Sequence, residues 1–242
     1  MKKYLINYAD KSHFHAQKIN AFTGLQIAGF DEVIEYSIGD IDIDFKNKNS
    51  HILNQRRGAG YWIWKPYIIL KTLNKISEED ILFYSDSGVE FISSINPLVE
   101  ICKKETQGLL IFNMEPIERN KEVLQTKKDA FILMNCNEDK YIESHPRIGS
   151  FSMWRKNDFT IKLAEEWLEY CQDERIVTDL PNQCGIPEDI RHENHRHDQS
   201  IFSLLTKKYE IKSYIDISQW GNPFRNLENR YGQIVNHTRY NG

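Results

Sequence analysis

The chain has 242 residues, 40% of them hydrophobic, and a formal net charge of −4. That length suits one large α/β domain, and the mild acidity excludes a general affinity for nucleic acid. Cys102, Cys136, Cys171 and Cys184 are scattered with no C-x-x-C pair, so they read as reduced thiols and not as a disulfide frame. The first residues enter a strand-like run with no signal-peptide core, and no apolar run approaches about 18 residues. The expectation is a cytoplasmic protein with at most peripheral membrane contact.

Lys3–Tyr8 predicts a first strand, with Ala9–Ser12 as the loop at its carboxyl end. Helical spacing of Phe14, Ile19 and Phe22 predicts a helix over His13–Ile27, stopped by Gly29. Glu32–Tyr36 follows as a second strand, a strand–helix–strand start that predicts a parallel crossover. Asp40–Phe45 alternates in polarity and reads as a short surface strand. Arg56–Tyr67 combines two arginines, two glycines, two tryptophans and Lys65, with Pro66 suited to the first turn of a helix running to about Ile76. A glycine-rich, cationic loop entering a helix attracts phosphate. The spacing matches no P-loop or dinucleotide fingerprint, and the tryptophans read equally as core.

Asp80–Glu90 is the central stretch. Ile81–Tyr84 has no polar break and predicts a strand buried on both faces. It ends in Ser85-Asp86-Ser87-Gly88, where an open α/β sheet binds its ligands. Asp86 there suits a hard cation, although Asp86 and Ser87 also fit a simple turn cap. Gly88 allows a sharp turn or a close approach to a ligand. Ile95–Glu105 predicts a helix, Leu109–Phe112 a strand, Ala130–Met134 a helical turn and Arg147–Trp154 a strand across the site. Asp158 is expected to cap a helix reaching Cys171, and Glu174–Ile190 reads as a loop. His192, His195 and His197 lack zinc spacing. Asp198 opens another helix, either as a plain N-cap or as a carboxylate held toward the ligand edge. Ile211–Ile215 gives a last strand. The polar tail needs something to tie it down, such as a metal or phosphate through His237.

Three segments together, Gly60–Tyr67, Tyr84–Gly88 and His195–Ile201, resemble GT-A-fold glycosyltransferases. They are similar to the family 8 and family 32 sugar transferases and to uncharacterised bacterial and viral relatives. The resemblance implies a single α/β domain with a mostly parallel sheet flanked by helices. Its first half, to about residue 110, would bind a nucleotide-sugar, and the remainder would bind the acceptor. Tyr8, Asp10, Arg57, Tyr61, Lys65, Asp86, Ser87 and Gly88 are then the donor-binding candidates. Trp154, His197 and Gln199 are the acceptor-binding candidates, and Asp198 is the catalytic one. Asp86 matches the first residue of Asp-x-Asp and His237 a C-terminal metal-binding histidine, which implies Mn²⁺ or Mg²⁺. The second aspartate is replaced by Gly88, leaving the metal to Asp86, His237 and the diphosphate.

The implied reaction moves a sugar from a UDP- or GDP-linked donor to a glycan acceptor such as a surface polysaccharide precursor or a glycoprotein glycan. A cation with Lys or Arg would stabilise the departing diphosphate. Asp198 would take the acceptor proton if configuration inverts. The rival expectations are a non-catalytic nucleotide-sugar or carbohydrate-binding module of the same fold, marked by Gly88, and a metal hydrolase built on His192–Asp198.

Overall fold

A computed structural model describes residues 1–226 and 231–238. Its centre is a six-stranded sheet in the order β2-β1-β3-β6-β5-β7. The strands are β1 (Lys3–Tyr8), β2 (Glu32–Tyr36), β3 (Ile81–Ser85), β5 (Leu109–Asn113), β6 (Phe151–Arg155) and β7 (Ser213–Ile215). β1 runs parallel to β2 and β3, and β5 to β7. Only β6 is antiparallel to its neighbours β3 and β5. A second ribbon pairs β4 (Val89–Phe91) with β8 (Val235–His237), setting Val89 opposite His237.

The unbroken apolar runs in β3 and β5 follow from burial on both sheet faces. Leu82, Tyr84, Leu109, Ile111 and Trp154 point into one core; Ile81, Phe83, Leu110, Phe112, Phe151 and Met153 point into the other. Helices α2 (Trp64–Leu73), α4 (Asp158–Cys171) and α5 (Asp198–Lys208) cover the first face, through Ile68, Ile69, Leu163, Trp167, Ile201 and Phe202. Helix α3 (Asn96–Cys102) covers the second. Helix α1 (Phe14–Thr23) lies on that face too, and its buried side chains are polar or small. Asn20 donates to Ser85 Oγ at 2.9 Å and to the Val89 carbonyl at 2.6 Å; Gln17 donates to Asn7 and to the Tyr36 carbonyl, both at 2.9 Å. These buried amides are satisfied, which their burial requires. Among the described residues no helix is long and apolar enough to cross a membrane.

Several local expectations are corrected. Asp40–Phe45 is not a strand: Ile38–Asp40 is a 3₁₀ turn and Ile43–Lys48 a short helix, and the exposed Asp42 between them accepts from the Tyr67 hydroxyl and the Lys71 ammonium. The cap of α4 is Asn157, which forms a capping box with Thr160, and not Asp158. The tail is tied down by ladder hydrogen bonds to β4 and by Gln219, whose amide both donates to the His237 carbonyl at 3.1 Å and accepts from its N–H at 3.0 Å.

The loop before α2 has an unusual backbone. Gly58, Ala59, Gly60, Tyr61 and Trp62 all carry positive φ, between 49° and 96°. L-residues enter the left-handed region singly, at about 1–2 kcal/mol each. A backbone bond from Tyr61 N–H to the Arg57 carbonyl (2.8 Å) and a side-chain bond from the Trp64 indole to the Gly58 carbonyl (3.0 Å) hold the turn. A Cβ on Gly60 would meet the Leu53 Cα at 2.7 Å. Gly60→Ala is therefore expected to cost at least about 2 kcal/mol in chemical denaturation. An unchanged midpoint would rule out the left-handed turn.

Candidate active site

The carboxyl ends of β1 and β3 open into a cleft of about 610 Å³, the position at which open α/β sheets bind ligands. Tyr8, Asp10 and His13 line it from β1, Asp86, Ser87 and Gly88 from β3, Arg56, Trp62 and Trp64 from the left-handed turn and its exit, and His237 from β8. Tyr8 stacks on Trp64 with ring centroids 3.9 Å apart, and burial first, then the charge of Asp10, pushes its phenol up to about 12. The pair forms a flat, rigid wall. Asp10 accepts from the backbone N–H groups of Ser12 and His13 and from both side chains. Burial pushes its pKa up, but those hydrogen bonds outweigh it and the net shift is downward.

Beneath the cleft lies a charge relay. Lys65 is 3% exposed; its Nζ sits 2.7 Å from Asp198, 3.5 Å from Asp86 and 3.0 Å from the Gly149 carbonyl. The Tyr84 hydroxyl donates to the same Asp86 oxygen at 2.5 Å. Burial lowers the Lys65 pKa, yet the two carboxylates outweigh it and the ammonium is held above its ordinary value. Burial raises the Asp198 carboxyl to about 6, with Lys65 opposing the rise. Asp86 stays 38% exposed at the cleft, anchored from below.

A second pocket of about 520 Å³ adjoins at His237, lined by Met114, Ser150, Arg196, Gln199, Asp216 and Trp220 among others. Apart from His237, the first cleft draws on residues up to Gly88, and this pocket on residues from Met114 to Trp220. Asp216 had no place among the expected site residues. It is 6% exposed, burial raises its carboxyl, and it follows directly on β7 as Asp86 follows on β3. The strand-end rule that singled out Asp86 reaches Asp216 as well.

Other expected site residues are placed differently. Trp154 is fully buried against Trp167 and Phe202 and faces no pocket. Arg57 turns away to Asp179 at 3.2 Å, and its neighbour Arg56 lines the cleft instead. Lys65 holds carboxylates and has no room for a diphosphate. His197 is 2% exposed, bonded to the Val177 carbonyl and flanked by the Tyr61 and Trp62 rings. Tyr61 thus serves the turn, not the cleft. Asp198 neither N-caps its helix nor lines the cleft; it is 3% exposed and pairs with Lys65. Gly88 lies outside the left-handed region, and a Cβ there would meet nothing within 4 Å, so its backbone demands no glycine.

Asp86 and His237 are the two expected metal ligands, and Asp10 and His13 line the same cleft. Among the described residues no group of three or more His, Cys, Asp or Glu side chains is gathered for a metal. Magnesium-like cations often take one or two carboxylates and complete their shell with substrate phosphate and water. This donor set fits a cation that arrives with a diphosphate. Gly88→Asp adds a carboxylate into open space and is expected to tighten Mn²⁺ binding in the presence of a nucleoside diphosphate by about tenfold. Calorimetry showing no gain would move the cation away from this turn.

The topology, with β6 alone reversed, is that of the GT-A glycosyltransferase fold. The solved structure of mouse xyloside xylosyltransferase 1, in its apo form, is similar over 99% of this chain and 98% of its own, with a TM-score of 0.51 and 11% identity. No family model matches the chain. No curated protein matches it in sequence.

Proposed function

We propose that the protein transfers a glycosyl group from a nucleoside-diphosphate sugar to a glycan hydroxyl. The observation that carries this reading is the convergence of Tyr8, Asp10, Arg56, Asp86 and His237 on one cleft at the carboxyl ends of β1 and β3. The Tyr8–Trp64 wall suits the nucleoside, because aromatic stacks offer flat apolar surface beside polar edges. Arg56 and the Asp86–His237 pair suit the diphosphate. A divalent cation bound there would neutralise charge on the leaving diphosphate. Asp86 would hold the donor in register, and the Lys65–Asp198 pair would hold Asp86. The adjoining pocket, with Ser150, Gln199 and Asp216, would receive the acceptor next to the anomeric carbon.

One observation favours a second reading. Glycine stands at position 88 in place of a second carboxylate, which suits a non-catalytic nucleotide-sugar-binding module with the same cleft. The test is a thermal-shift series with UDP, GDP and their sugars, with and without Mn²⁺, followed by product analysis for the hits. Binding to the folded state raises the melting temperature by mass action. A Mn²⁺-dependent rise followed by sugar release or transfer supports the transferase. A rise without turnover supports the binding module. No rise with any nucleotide overturns both.

A further inference from the structure

Helix α1 is inside out. Its buried arc holds Ala16, Gln17, Asn20, Ala21 and Thr23, and its solvent arc carries the large apolar side chains. Phe14 is 56% exposed and Phe22 65%; Leu25 and Ile27, on the turn that continues the helix, are 44% and 43%. At 3.6 residues per turn, Phe14, Lys18 and Phe22 share an arc of about 80°. The Lys18 ammonium lies 4.9 Å from the centre of the Phe14 ring. Burial of the Asn7–Gln17–Asn20 amide network explains the polar inner face. It does not explain two exposed phenylalanines on the outer one.

From Lys11 to Phe30 the sequence carries two lysines, Lys11 and Lys18, and no acidic residue, in a chain whose net charge is −4. The flanking acids are partly spoken for: Glu35 pairs with Lys18 at 2.5 Å, and Asp10 with His13 at 2.8 Å. Lys11 and His15 remain exposed beside the aromatic side chains.

We propose that the outer face of α1 docks on an anionic membrane surface. Phenylalanine and leucine interleaved with lysine is the pattern of a helix lying in the headgroup region, with apolar side chains dipping inward and cations meeting anionic lipid. A second copy of the chain is disfavoured: a two-fold contact through this face would set Lys11 against its own copy, with no acidic residue between Lys11 and Phe30 to offset it. The placement has a consequence for the site. Asp10 and His13, on the cleft wall, immediately precede Phe14, so docking brings the cleft mouth to the bilayer, where a lipid-anchored acceptor would present its sugar. The surface itself stands independently of the transferase reading.

The test is flotation with vesicles of phosphatidylcholine alone and of an equimolar mixture with phosphatidylglycerol. Wild type is expected to float with the anionic vesicles and not with the neutral ones. Phe14→Ser/Phe22→Ser is expected to lower recovery about tenfold, with its melting temperature and any nucleotide-induced shift unchanged, since both side chains are exposed. Lys11→Glu, which alters no packing, is expected to weaken flotation in low salt. Failure of the wild type to float with anionic vesicles overturns the proposal, as does undiminished flotation of all these variants. A dimer in light scattering that the double phenylalanine variant dissolves, without vesicle binding, assigns the face to a second copy instead. These readouts need no donor or acceptor, so they fail or succeed separately from the transferase assay.

Discussion

Lys65→Met is expected to lower stability by about 3–5 kcal/mol, the range for removing one partner of a buried ion pair. Methionine fills the volume of the aliphatic stem but leaves Asp198, 3% exposed, with no cation at 2.7 Å. Asp86 loses its weaker partner and keeps the Tyr84 hydroxyl. Lys65→Met/Asp198→Asn removes both buried charges and should recover most of the loss, because a neutral pair escapes the desolvation cost. Urea denaturation of the two single variants and the double variant closes the cycle; additive losses would show that the two side chains are not coupled. The pH dependence carries a definite sign. The folded carboxyl of Asp198 titrates near 6, above its ordinary value of 3.8. Between these pH values the folded protein keeps a proton that the unfolded chain has released, so stability from this group falls as pH rises from about 4 to about 6 and is level above that. The fall is about 3 kcal/mol at 1.36 kcal/mol per pH unit, and Asp198→Asn should abolish it. A wild-type curve flat across that window would refute the buried, proton-retaining carboxyl.

Asp86→Asn is expected to cut kcat/KM for glycosyl transfer by about 10²–10³, the scale for losing one preorganised electrostatic contact at a reacting group. Asparagine keeps an oxygen for the Tyr84 hydroxyl, and the side chain is partly exposed, so the melting temperature should stay near wild type. The variant should also lose any Mn²⁺-dependent part of the nucleotide thermal shift. Full activity in Asp86→Asn would remove Asp86 from the donor site, whatever the fold.

The strands were readable because their signal is local. Ile81–Tyr84 and Leu109–Phe112 are unbroken apolar runs, and burial on both faces asks for nothing else. Asp86 was readable as a strand-end carboxylate; Asp198 was readable as a carboxylate at a helix start, but not its turn onto Lys65 beneath the cleft. What lay out of reach depends on direction in space. Nothing in Arg56-Arg57 says which guanidinium faces the cleft; the left-handed turn decides it, and glycines at 58 and 60 do not disclose that Ala59, Tyr61 and Trp62 follow them there. Trp154 and Trp64 are equivalent by composition, yet one is sealed under Trp167 and the other stacks on Tyr8 in the cleft wall. The helical spacing of Phe14, Ile19 and Phe22 located α1 but did not tell which face is buried, because hydrogen-bonded amides occupy the place that apolar side chains usually take. The pairing of Val89 with His237 spans most of the chain and has no local signature.

That last pairing joins the making of the fold to the making of the site. All six strands of the central sheet lie before residue 216, whereas His237 arrives on β8, after them. The same segment closes the second hydrophobic layer, in which Tyr231, Ile234 and Val235 are buried, so the residues that bring His237 to the cleft also finish the core. Packing of the second layer and completion of the cleft wall are therefore one event: β8 cannot leave β4 without opening both.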